Sequence, residues 1–258
     1  MRRKNKTAPN ASGKIIFSQT HKPKQKPRHG RKTLADVKWI ALKEKLAKGG
    51  IGIIYTGNVL FTGKRTADRC VIKMIKAEHI PLGKLQFVKK WYEEIVSRLN
   101  SSNANRPRMA VVEHEGKLYI VKEAFVQSEN GKLVSKFSKD SLAFFRRLNL
   151  EQNENNKEFF REALIQAGHL AMTNLGIVPT TNINGIKFID VFNAIRKKDG
   201  KQRLYVADID CLSESKNPRQ AWKTSVQSLV SVVSEENPKN KAIGERIAKE
   251  VAAKMKIP

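Results

Sequence analysis

The spacing of apolar residues changes period along this chain, and that change limits its fold more than any other feature. The stretches 51–55, 70–75, 109–112 and 118–121 are short, apolar and rich in β-branched residues, with Gly57, Gly63 and the Glu115-Gly116 pair between them. Such runs read as strands, and the last two as a hairpin. A helix over 82–99 interrupts them, because Leu85, Val88, Tyr92, Ile95, Val96 and Leu99 fall on one face. A shorter helix is expected over 36–46, with Val37, Ile40, Ala41 and Leu46 on one side. Beyond residue 125 the helical period dominates, with helices expected over 141–148, 157–174, 220–233 and 242–255. In the last two, Trp222, Val226, Leu229 and Val233, then Ile243, Ile247, Val251 and Met255, form stripes that read as core. An extended stretch, 186–210, lies between the helices. The expected class is therefore α+β in two lobes, a small β-rich lobe over 36–125 and a mainly helical lobe over 126–258.

Residues 1–35 read differently. They hold eleven Lys or Arg and no acid, with Pro9, Pro23 and Pro27 among them, and are densest in charge over 22–32. A segment with so little to bury is expected to be a disordered basic tail. The whole chain carries a net charge of +26, which favours anionic partners, either nucleic acid or an anionic membrane surface gripped through the tail. No apolar run approaches a membrane span and the first residues carry no secretory stretch. Cys70 and Cys211 are the chain's two cysteines, too few for a disulfide framework or a zinc site. A cytoplasmic or nuclear place is expected, and export without a cleaved signal stays open.

Two segments carry chemistry. In 46–57, "LAKGGIGIIYTG", glycines stand between strands, so that backbone N–H groups can approach phosphate oxygens without Cβ interference. In 70–75, "CVIKMI", Lys73 stands on the next strand. The second segment, 190–210, runs from Asp190 through Asn193 and a turn at Asp199-Gly200 into an apolar strand that ends on Asp208, with Asp210 two residues on. Acids delivered at a strand end suit a divalent cation.

Together these parts resemble the protein-kinase family. "Ala47-Lys48-Gly49-Gly50-Ile51-Gly52" is similar to its glycine-rich loop, and "Val71-Ile72-Lys73" to its third-strand lysine. Ala47 replaces the first glycine and Ile51 the aromatic residue. The resemblance implies a divergent, minimal phosphotransferase over about residues 40–212, with ATP and magnesium as its cofactors. Gly49, Gly50, Gly52 and Lys73 would hold the nucleotide. Glu93 and Glu94 both stand where the helix should supply a carboxylate for Lys73. Glu94 is chosen because Phe87 and Trp91, seven and three residues earlier, extend the apolar face towards it. Asp208, Asn193 and Asp210 would hold metal, and Asp190 would accept the proton of a substrate hydroxyl. The acceptor would be a protein Ser or Thr, or a small molecule.

"Phe188-Ile189-Asp190" lacks the family's His and Arg, and Asn193 follows Asp190 by three residues where the family has five. A rival register places 176–182 in the catalytic loop, with Thr181 where the base should be, and makes the chain a pseudokinase. A third reading is non-enzymatic, a nucleic-acid-binding or ribosome-associated basic protein. No His-x-x-x-His, Cys-x-x-Cys or Gly-x-Ser-x-Gly spacing supports zinc, redox or hydrolase chemistry.

Overall fold

The computed structural model describes residues 14–16, 37–48, 51–76, 78, 80, 83–123, 145–181, 185, 187–196 and 202–258. The chain forms two compact units, the first running to Glu93 and resuming at Arg108, the second comprising Glu94–Pro107 and the C-terminal part. The division differs from one cut at residue 125. It passes through a helix and assigns the loop after that helix to the second unit.

The first unit is built on a six-stranded antiparallel sheet in the order β1-β2-β3-β4-β6-β5. Its strands are β1 (Lys14–Ile16), β2 (Val37–Lys48), β3 (Gly52–Phe61), β4 (Asp68–Ile75), β5 (Met109–His114) and β6 (Lys117–Glu123). Helix α1 (Leu85–Ser101) joins β4 to β5. Alternation puts Val59, Phe61, Cys70, Ile72, Tyr119 and Val121 on one face, where with Ile40 and Ala110 they form a buried core. The β5–β6 turn has Glu115 at φ 49° and Gly116 at φ 72°. Positive φ at both central residues suits the twist of a tight hairpin, and this is why the Glu-Gly pair marks it.

Two expectations fail here. The helix expected over 36–46 is not formed, because 37–46 lie within strand β2, which pairs with β3 along most of its length, and Asp36 lies outside the described residues. The register shifts between Val37 and Trp39, Leu42 and Lys45, and Lys45 and Ala47. Each irregularity displaces the inward positions, so a period of two is lost and the apolar spacing imitates a helix. Secondly, Lys14–Ile16, inside the expected tail, pair as β1 with Trp39–Ala41. This pairing covers main-chain groups that an edge strand would leave open. The rest of 1–35, together with Gly49 and Gly50, lies outside the described residues.

In the second unit three helices pack against one another, α2 (Glu154–Ala171), α3 (Pro218–Ser234) and α4 (Asn240–Met255). The side chains of Asn153 and Asn217 accept the Asn156 and Gln220 N–H groups and so cap α2 and α3. Leu229, Val233, Ile247 and Val251 are buried as expected, whereas Trp222 and Val226 are half-buried. Of the helix expected over 141–148, only 145–148 are described, with Phe145–Arg147 forming one 3-10 turn. Buried Asn240 accepts the Leu150 N–H at 3.0 Å and donates to the Leu148 and Val233 carbonyls at 2.6 and 2.8 Å. The extended stretch and the segments flanking it form short pairs. They are β7 (Leu175–Ile177) with β12 (Leu212–Glu214), β8 (Thr180–Thr181) with β9 (Lys187–Phe188), and β10 (Phe192–Arg196) with β11 (Gln202–Val206). Asn105 ties this last hairpin to α2. Its carbonyl accepts the Val206 N–H at 2.8 Å, its amide donates to the Leu204 carbonyl at 3.3 Å, and its N–H donates to Gln166 Oε1 at 2.6 Å. Among the described residues no helix is long and apolar enough to cross a membrane.

Candidate functional site

In the first unit, the sequence feature with a visible geometric cause is Gly52. It opens β3 opposite Ile75. A Cβ at this position would stand 2.7 Å from the Met74 carbonyl oxygen and 3.0 and 3.3 Å from Lys73 Cγ and Cε. The Lys73 stem therefore runs against Gly52, and glycine is needed for that contact before any ligand is considered. Lys73 itself is 8% exposed. Glu94 is exposed and ion-paired with Arg98 at 2.9 Å, and Arg98 also reaches Glu214 at 3.5 Å. Phe87 is 70% exposed, so the buried face of α1, formed by Tyr92, Ile95, Val96 and Leu99, does not extend through it towards Glu94.

In the second unit the β10–β11 hairpin organises the acids. Its outermost pair is Phe192 with Val206. The pairing stops there, because the chain bends at Val191 and the Ala207 and Asp208 N–H groups both turn onto the Val191 carbonyl, at 2.8 and 3.3 Å, leaving Asp190 and Asp208 two residues beyond the last pair on the two arms. The Asp210 N–H donates to Asp208 Oδ1 at 3.1 Å. Asn193 pairs with Tyr205 inside the ladder, so its backbone position is set back from the hairpin mouth.

Asp190 Oδ1 accepts hydrogen bonds from the Thr180 hydroxyl at 3.3 Å and from the Cys211 thiol, and Thr180 Oγ1 and Cys211 Sγ are 3.6 Å apart. The β7–β12 pairing creates this cluster, since it carries Cys211 and Thr180 to the same place and is extended by the Val178 N–H on the Cys211 carbonyl at 2.9 Å. The two catalytic-loop registers thus converge, with Thr180 of one bonded to Asp190 of the other. Thr181 is exposed. Burial pushes the Asp190 carboxyl above its ordinary value. The Cys211 hydrogen bond opposes this, and the charges of Asp208 and Asp210 add to it. The Cys211 thiol is pushed up as well, by burial first and then by Asp190. Sequence reasoning missed Cys211, which it counted only in excluding a disulfide framework and a zinc site. Its position directly after Asp208-Ile209-Asp210 was the available signal.

Among the described residues no group of three or more His, Cys, Asp or Glu is arranged to hold a metal ion. Magnesium is commonly held by one or two carboxylates together with substrate phosphates. The hard oxygen donors of Asp208 and Asp210 fit that mode, and a cation there would offset the part of the Asp190 shift that their charges add to burial.

No protein-family model matches the chain, and no curated protein matches it in sequence. Solved structures do share its fold. The PknI kinase domain of Mycobacterium tuberculosis is similar at TM-score 0.50 and 11% identity, over 89% of this chain and 99% of that one. A single-substitution variant of the same domain gives 0.51 and 10%, over 83% and 87%. A doubly substituted variant gives 0.51 and 10%, over 88% and 91%. This chain therefore has an α+β protein-kinase-like fold, with a β-sheet N-terminal unit and a helical C-terminal unit.

Proposed function

We propose that the chain is an ATP-dependent phosphotransferase of a divergent, minimal protein-kinase type, acting on a hydroxyl, with protein Ser or Thr as the first acceptor to test. The observation that carries this reading is the placement of Asp190 and Asp208 just beyond the last pair on the two arms of one hairpin, with the Asp208 N–H on the Val191 carbonyl, within a kinase-like fold.

In this reading Gly49, Gly50, Gly52 and Lys73 bind the nucleotide phosphates. Glu94, which pairs with Arg98, is the proposed carboxylate for Lys73. Asp208 is the proposed principal metal ligand, with Asp210 and Asn193 as further ligands. Magnesium, when bound, would neutralise charge on the phosphates. Thr180 and Cys211 hold Asp190 Oδ1 and orient the carboxylate. Asp190 accepts the hydroxyl proton as the acceptor oxygen bonds to the γ-phosphorus and the bond to the ADP oxygen breaks. A base whose pKa is raised from the aspartate value towards neutrality suits this step.

Melting of the full chain with ATP, with and without magnesium, tests binding, because a ligand of the native state raises the melting temperature. Labelled ATP tests transfer. A metal-dependent rise with transfer supports the proposal. A rise without transfer to any acceptor would favour the Thr181 register and a pseudokinase.

A polyanion-binding role is supported by the net charge of +26 and by Lys43, Lys45 and Lys48, all exposed on the outer part of β2. RNA affinity should fall steeply with salt. Replacing the Lys and Arg residues of 22–32 by Gln tests the tail without removing β1, which deletion of 1–33 would do. Unchanged affinity after that replacement would assign binding to the folded surface.

A further inference from the structure

β10 and β11 form a sheet of two strands, and among the described residues no third strand covers the outer edge of β11. One residue meets the groups of that edge. The Asn105 carbonyl accepts the Val206 N–H at 2.8 Å, and its side-chain Nδ2 donates to the Leu204 carbonyl at 3.3 Å. In a parallel ladder a residue bonds in this way to the two residues flanking its partner, using its own N–H and C=O. Here the Asn105 N–H is committed to Gln166 Oε1 at 2.6 Å, and the side-chain amide stands in for it. Asn105 therefore closes the edge of β11 as a strand of one residue would.

The amide is itself fixed. Buried Gln166 donates from Nε2 to Glu162 Oε1 at 2.8 Å, which leaves its Oε1 to accept from Asn105. Glu162 Oε1 also accepts from Asn105 Nδ2 at 3.4 Å. Leu204 and Val206 are buried, so alanine at 105 would remove a donor from a carbonyl that water does not readily reach. Aspartate would set an acceptor against that carbonyl and against Glu162.

Asp208 follows Val206 by two residues, and its N–H, like that of Ala207, turns onto the Val191 carbonyl. The strand end that delivers Asp208 is thus held from the β10 arm on one edge and from Asn105 on the other. Carboxylates that bind metal depend on such supporting hydrogen bonds for their orientation.

We propose that Asn105 is a positioning residue for Asp208, acting through β11 to hold that carboxylate for a nucleotide-bound magnesium ion. The proposal rests on the metal-binding role given to Asp208 above, and not on phosphate transfer.

Calorimetric titration of the full chain with ATP, in magnesium and in EDTA, tests it. Asn105→Ala and Asn105→Asp should each weaken binding in magnesium by about 10–100-fold, the usual cost of removing a supporting partner of a metal ligand. Binding in EDTA should be unchanged. Asn240→Leu disturbs the same unit at Leu148, Leu150 and Val233, and should alter neither. Wild-type affinity in magnesium for Asn105→Ala would overturn the proposal. An equal loss in magnesium and EDTA, or an equal loss in Asn240→Leu, would do the same, since a structural role then accounts for the effect. Should both Asn105 variants fail to fold, the Asn105 Nδ2 resonances of the wild type decide. A shift with ATP and magnesium that ATP in EDTA does not produce supports the role, and no such shift overturns it. A wild-type chain that binds ATP through magnesium yet transfers no phosphate counts against the phosphotransferase and leaves this role standing. A wild-type chain whose ATP affinity is the same in magnesium and EDTA removes the metal from Asp208 and overturns the role, whatever the transfer assay gives.

Discussion

Asp190 and Asp208 stand on the two arms of the β10–β11 hairpin, each two residues outside its last pair, Phe192 and Val206, and the Asp208 N–H donates to the Val191 carbonyl at 3.3 Å. The first is held by Thr180 and Cys211, and the second accepts the Asp210 N–H. Two acids in mirrored positions have different partners and should behave differently when replaced. Asp208→Ala should lose magnesium-dependent ATP affinity and transfer together. Asp190→Ala should bind ATP nearly as before and lose roughly 10²–10⁴-fold in transfer, the usual worth of a general base. Full transfer by Asp190→Ala would remove it from the catalytic step.

The raised pKa of Asp190 makes a statement about stability. A carboxyl whose folded pKa lies above its unfolded value binds more protons when folded, so its contribution is fully present below the ordinary aspartate value and is lost as pH rises through the folded value. Asp190→Asn should flatten the pH dependence of the melting temperature over that interval. Melting curves from pH 3 upward check the direction, and an unchanged slope would contradict it.

Both thiols should be inert in the native chain at neutral pH. Burial pushes Cys70 up to about 12, with the charges of Asp68 and Glu123 adding to it, and Cys211 is raised by burial and by Asp190. The thiolate is the reactive form. Removing the Asp190 charge with Asp190→Asn should therefore lower the pH at which Cys211 alkylates and leave Cys70 unmoved. Mass-spectrometric alkylation profiles against pH separate the two sites.

Gly52→Ala places a methyl 2.7 Å from the Met74 carbonyl and 3.0 Å from Lys73 Cγ. The backbone carbonyl cannot yield as a flexible side chain can, so a cost of about 1–3 kcal/mol is expected. The Lys73 stem should also shift. Denaturant melts give the stability, and loss of ATP affinity beyond the stability effect would report the displaced lysine.

Asn240→Leu would leave a buried N–H and two carbonyls without the partner that Asn240 supplies. The expected loss is about 2–4 kcal/mol, since each buried group left unsatisfied carries a desolvation penalty. Unchanged stability would mean that water reaches these groups.

Strand and helix order were legible in the sequence wherever the apolar period was regular. The β5–β6 hairpin, α1, and helices α2 to α4 were all expected within a few residues, because a local period reflects which face each element buries. β2 was not, because its bulges are set by pairing with β3 and erase the period that would have announced a strand. The same limit applies to the candidate site. Gly52, Lys73, Asp190 and Asp208 stand in motifs that can be read along the chain. The convergence of Thr180, Cys211 and Asp190 cannot, because β7 and β12 pair Ile177 with Leu212 across 34 intervening residues. The burial of Lys122 had no motif to announce it either. It follows from the β4–β6 register, which sets Lys122 against Val71, and register is decided by which residues the sheet buries together, a property of the packed strands and not of either strand alone.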